Sequence, residues 1–95
     1  MLVKVRFLTR LKEVTGKEEE EVVVDGRADV GMVLKKLGEE YGWRFSALLY
    51  EGDSGALASH LQILLDGLNV LTLDGLRTSL RDGSVLAIIP LVSGG

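Results

Sequence analysis

Only one stretch of this chain sustains a helical period, and segments that read as strands flank it on both sides. Within it Val30, Val33, Leu34, Leu37 and Tyr41 return to a single face, while Lys35, Lys36, Glu39 and Glu40 fall on the other. Asp29 supplies an N-cap and Gly42 a stop. A helix with one apolar stripe must be covered by something, and here the covering material is β-structure.

The strands are read from period and turn chemistry. Val3, Val5 and Phe7 alternate with Lys4 and Arg6, so the first strand runs from Val3 to Phe7. Thr15-Gly16-Lys17 reads as a turn, and Glu21 to Asp25 as a second strand ended by Asp25-Gly26, giving an amino-terminal hairpin. Trp43 to His60 holds no period and is expected to be a loop-rich insertion around the turn-like Glu51-Gly52-Asp53-Ser54-Gly55. Leu61 to Leu65 reads as a strand closed by Asp66-Gly67, a pair suited to a tight hairpin, with a short return strand through Leu68 to Leu71. Val85 to Leu91 is continuously apolar, which suits a central strand covered on both faces. The expected class is α+β, a mixed sheet packed on one main helix in the β-grasp or ubiquitin-like manner. Residues 1–95 form one domain, with 90–95 an extended, flexible Gly-Gly tail.

Composition closes off several functions. With 95 residues there is room for one core, roughly two-thirds of the unfolded surface at most. A net charge of −3 argues against a phosphate-backbone binder, so no nucleic acid is expected. There is no cysteine, hence no disulfide, thiolate nucleophile or thiolate metal ligand. The longest apolar run, Val85 to Val92, is too short to span a bilayer, and the N-terminus does not read as a signal peptide; no membrane partner and a cytoplasmic location are expected.

The chemistry is expected at the end of the chain. Two glycines after the last strand cannot strengthen a core, and they raise the entropy of a free end. Without Cβ atoms, Gly94 and Gly95 can thread a narrow channel and present the Gly95 carboxylate to a partner's nucleotide. A carboxylate is a poor electrophile, so acyl transfer from it needs prior activation, most economically as a mixed anhydride with AMP. The adenylating site, ATP and Mg²⁺ would belong to the partner, and no cofactor is bound by this chain. A persulfide sulfur displacing AMP would leave Gly95 as a thiocarboxylate.

Several segments resemble a known family. Val5-Arg6-Phe7-Leu8, Arg10-Leu11-Lys12-Glu13-Val14-Thr15-Gly16, Leu73-Asp74-Gly75-Leu76, Leu80-Arg81-Asp82-Gly83, Ile88-Ile89-Pro90 and Gly94-Gly95 are similar to the small subunit of molybdopterin synthase and its ThiS-like relatives, the MoaD-like sulfur carriers. The resemblance implies a β-grasp fold and three partners: a ubiquitin-activating-type, MoeB-like adenylyltransferase, a persulfide enzyme that donates sulfur, and a MoaE-like large synthase subunit. It also implies conversion of precursor Z to molybdopterin within that complex. Gly95 inherits the carrier role; Gly94, Ser93, Val92 and Leu91 inherit partner binding along the tail. Ile89 stands where the family often has a partner-contacting Phe, so the parity of the last strand containing Ile89 is expected to be partly exposed. Leu91 replaces a common proline and Ser93 a common alanine, which leaves thiamin synthesis, tRNA thiolation and conjugation to protein lysines as alternative destinations.

Other features have plainer readings. The four Asp-Gly pairs are turn chemistry, and Asp66, Asp74 and Asp82 have no metal-ligand spacing. His60 has no second histidine or cysteine with which to build a site. Trp43, Phe45 and Tyr50 are expected to close the core rather than form a contact surface.

Overall fold

The computed structural model describes residues 1–51 and 56–90. Alternation in β1 (Leu2–Phe7) buries Val3, Val5 and Phe7 and leaves Leu2, Lys4 and Arg6 outward. The chain then makes a short helix, α1 (Arg10–Thr15), stopped by Gly16 at φ 76°, before β2 (Glu19–Val23). β1 and β2 are antiparallel neighbours. They are joined through α1, however, and not through the simple hairpin turn the sequence suggested. The second strand also lies earlier than Glu21 to Asp25. Leu2 pairs with Val23 and Arg6 with Glu19, so β1 has little backbone left to pair beyond Val23. Asp25 instead accepts the Arg27 N–H at 2.8 Å within the turn.

The main helix is α2 (Val30–Tyr41), and Val30, Val33, Leu34 and Leu37 are its buried stripe. The Asp29 carboxylate accepts the Met32 N–H at 2.9 Å, satisfying one of the orphan donors of the first turn. Asp29→Ala is expected to lower stability by about 1 kcal/mol and Asp29→Asn by far less, read from urea midpoints at constant slope.

Trp43 to His60 is not the loop-rich insertion expected. It opens with α3 (Trp43–Leu49) and continues into a small antiparallel ribbon, β3 (Tyr50–Glu51) with β4 (Ala56–Leu57). Phe45 and Leu49, four residues apart, are the buried face of α3. The remaining elements are β5 (Leu61–Leu65), β6 (Leu68–Asn69), 3₁₀ turns at Val70–Thr72 and Gly75–Arg77, and β7 (Val85–Pro90). The Asp66-Gly67 turn has both central residues at positive φ, 49° and 87°, as a two-residue hairpin with this sequence requires. The return strand is shorter than Leu68 to Leu71, because Val70 turns inward to the core and starts the 3₁₀ segment.

Among the described residues the main sheet is ordered β2-β1-β7-β5-β6. β7 lies at its centre, parallel to β1 and antiparallel to β5, so the sheet is mixed. One face carries Val3, Val5, Phe7, Ile63, Leu65, Leu86 and Ile88 into a single core with α2, Leu11, Phe45 and Leu49. No helix among the described residues is long and apolar enough to cross a membrane.

Candidate functional site

The last strand sets where the tail begins. β7 runs through the middle of the sheet with Leu86, Ile88 and Pro90 buried, and Val85, Ala87 and Ile89 half-buried on the opposite face. It was expected to be covered on both faces. The structure covers one face with helices and leaves the other half-open, because α2 and α3 both pack on the same side. The continuous apolar run therefore hides an alternation, and Ile89 falls on the open parity.

Pairing assembles that open face. Gln62 of β5 lies opposite Ile89, Leu64 opposite Ala87, Arg6 of β1 beside Ala87, and Lys4 beside Val85. The result is a shallow apolar strip down the centre of the sheet, edged by cationic side chains of β1. Lys4 is paired with Glu19 of β2 at 3.3 Å. Exposed pairs of this kind contribute little to stability, and Arg6, opposite Glu19 on β2, also acts electrostatically on Glu18.

Pro90 closes the strand beside the start of α1. The Leu8 N–H donates to the Ile88 carbonyl at 3.3 Å, and the Thr9 hydroxyl donates to the Pro90 carbonyl at 3.2 Å. On the other side Leu61 stands opposite Pro90. Arg6, Phe7, Leu8, Thr9, Lys12 and Glu18 line a hollow next to this exit. There the hydrogen bond from Lys12 Nζ, 2.9 Å from Glu18 Oε1, lowers the Glu18 carboxyl from its ordinary value.

Of the residues singled out from sequence, Ile89 is placed on the open face. Leu91, Val92, Ser93, Gly94 and Gly95 lie outside the described residues. The Asp-Gly pairs act in turns: Asp66 accepts the Val85 N–H at 2.9 Å and Asp82 the Leu2 N–H at 2.7 Å, which tie the ends of β7 and β1 to neighbouring loops. Of the three aromatics read as core, Phe45 is buried and Tyr50 half-buried, but Trp43 is 76% exposed beside Arg44. α3 is amphipathic, and Trp43 stands off its buried face. Sequence reading missed Thr9. Its contact with Pro90 spans 81 positions, and no local pattern announces it.

Comparison with known proteins places this arrangement. A model of the ThiS family matches residues 5–95. Small archaeal modifier protein 3 of Haloferax volcanii is 35% identical over 95 residues, covering 100% of both chains. Among solved structures, that of the Haloferax volcanii HVO 2177 protein superposes with a TM-score of 0.85 at 36% identity, covering 100% of this chain and 87% of that one. SAMP1 of the same organism superposes with a TM-score of 0.82 at 31% identity, covering 100% of both. A helix-covered mixed sheet with a central last strand, matched in sequence through to Gly95, identifies the chain as a β-grasp member of the ThiS family of ubiquitin-like sulfur carriers and modifiers.

Proposed function

We propose that this chain is a carrier whose Gly95 carboxylate is activated by a partner, converted to a thiocarboxylate, and used as the sulfur donor in molybdopterin synthesis. The observation that carries this reading is the position of the exit. Pro90 is the last described residue of the central strand, next to a half-open apolar strip that a partner can grip. Gly95 is five positions beyond Pro90, a reach of at most about 17 Å. The body can therefore dock on one surface while its end enters a neighbouring active site.

The chemistry balances without any side-chain nucleophile of this chain. A carboxylate oxygen attacks the α-phosphorus of Mg-ATP in a ubiquitin-activating-type adenylyltransferase, and pyrophosphate leaves. The terminal sulfur of a partner's persulfide attacks the acyl carbon and AMP leaves, giving an acyl disulfide. A partner thiol then attacks the persulfide-derived inner sulfur, forming a disulfide with it and releasing the Gly95 thiocarboxylate. A MoaE-like large subunit would seat that thiocarboxylate against its substrate.

A second reading follows from the relatives. Two of them are named as small archaeal modifier proteins, which favours a lysine amine as the final acceptor and an isopeptide bond in place of the thiocarboxylate. Both readings share the adenylate. Incubation with the cognate adenylyltransferase, Mg-ATP, a persulfide donor and thiol, followed by intact mass, separates them. Exchange of one oxygen for sulfur at Gly95 is expected. An adenylate that forms but passes only to lysines would replace the sulfur-carrier reading with the modifier one.

A further inference from the structure

The residue at the N-cap of α1 is a threonine that does not cap its helix. A threonine here ordinarily accepts an N–H from the first turn, yet Thr9 makes no side-chain cap bond. Its hydroxyl donates instead to the Pro90 carbonyl oxygen at 3.2 Å. The Thr9 backbone lies at φ 50°, ψ −123°, a region in which a β-branched residue is a true outlier. Such strain persists only where the surrounding structure enforces it, and it gathers where position matters for function.

The bond takes the place of a missing rung. In the parallel pairing of β1 with β7, Leu8 donates to Ile88 at 3.3 Å, and the next acceptor of that row is the carbonyl of Pro90. The backbone turns away into α1 after Leu8, so no ladder amide reaches that carbonyl, and the Thr9 hydroxyl supplies the donor. The proline ring already fixes φ of residue 90. Holding its carbonyl oxygen fixes the peptide plane that begins there, and hence ψ. Both soft dihedrals at the point of departure are then set.

We propose that Thr9 is a positioning residue for the tail: by holding the Pro90 carbonyl it sets the direction in which the chain toward Gly95 leaves the sheet. This rests on the reading that Gly95 carries the reacting carboxylate. A carrier whose tail departs in one direction presents a larger competent fraction to its adenylating partner, and apparent affinity scales with that fraction. Once seated, the acyl group reacts as before.

Three variants test this. Thr9→Val keeps the branched shape and removes the donor, Thr9→Ser keeps the donor, and Thr9→Gly removes both donor and strain. The readouts are the Pro90 carbonyl ¹³C shift and the steady-state kinetics of ATP–pyrophosphate exchange with the carrier varied. For Val and Gly the Pro90 shift is expected to move and KM for the carrier to rise about three- to tenfold, the span of one neutral hydrogen bond, with kcat unchanged. Ser is expected to match the wild type in both, and Gly to be impaired although it melts no lower than Val. An unmoved Pro90 shift in Thr9→Val, an unchanged KM in Val and Gly, or a Ser variant as impaired as Val would overturn the proposal. Failure of the wild-type chain to support exchange would instead defeat the Gly95 reading, while the Pro90 shift would still report whether Thr9 holds the carbonyl.

Discussion

A chain ending at Gly94 is expected to fold like the full-length protein and to be charged at least about a thousandfold more slowly. The two halves of this result have separate causes. The core is built from residues between Val3 and Ile88, and Gly95 lies beyond the last strand. Its loss should stay within the roughly 0.5 kcal/mol typical of surface changes, or at most a few degrees in Tm. For charging, one residue fewer withdraws the carboxylate by about 3.5 Å from wherever the partner holds the α-phosphate. A misplacement of only about 1 Å can cost on the order of a hundredfold, because the reacting atoms must meet at near-contact distance. An added alanine after Gly95 should be as damaging, since it moves the carboxylate the other way and puts a Cβ into the channel. Intact mass after charging, with a thermal melt of each variant, checks both halves. Charging of either variant at more than a tenth of the wild-type rate would mean that the terminal carboxylate is not the reacting group.

What could be read ahead of the structure was whatever a local period or a short turn determines. α2 was legible because Asp29, a four-residue apolar stripe and Gly42 all agree. The β5–β6 hairpin was legible because Asp66-Gly67 is one of few pairs that accept positive φ at both centres. α1 escaped because six residues cannot display a period, and its cap threonine is committed to Pro90. α3 escaped for a related reason. Gly42 both stops α2, donating to Gly38 at 2.8 Å, and precedes Trp43 directly, so one glycine that reads as an ending also serves as a beginning. The open strip escaped in part. Nothing within Val85-Leu86-Ala87-Ile88-Ile89 distinguishes one parity from the other, and only pairing with β1, whose outward Lys4 and Arg6 mark the solvent side, tells which residues face out. Long-range placement, unlike local conformation, is decided by partners remote in sequence.

Phe45→Ala is expected to cost about 3–5 kcal/mol, whereas Trp43→Ala, two residues away on the same short helix, should cost less than about 1 kcal/mol. Phe45 is fully buried. Its ring meets Phe7 edge-on at 6.0 Å and 88°, and stacks on Tyr41 at 5.7 Å and 29°. Phe7 and Tyr41 also meet edge-on at 5.9 Å, so the three rings lock β1, α2 and α3 to one another. Truncation to alanine removes the ring from two favourable pairs and leaves a cavity that neighbours on three elements cannot jointly fill. Against a total stability of about 5–15 kcal/mol for a domain of this kind, that loss is large enough to unfold a marginal variant near body temperature. Trp43 is mostly solvated, and its contact with Arg44, 5.8 Å from the ring, is an exposed cation–π pair of small worth. Urea midpoints of the two variants decide the matter. Equal losses would mean that α3 is held through its Trp43 side and that the three-ring packing is not its anchor. Where Trp43→Ala is still folded, it should be charged at Gly95 at the wild-type rate, because Trp43 stands exposed on a helix that covers the other face of the sheet from the open strip of Val85, Ala87 and Ile89.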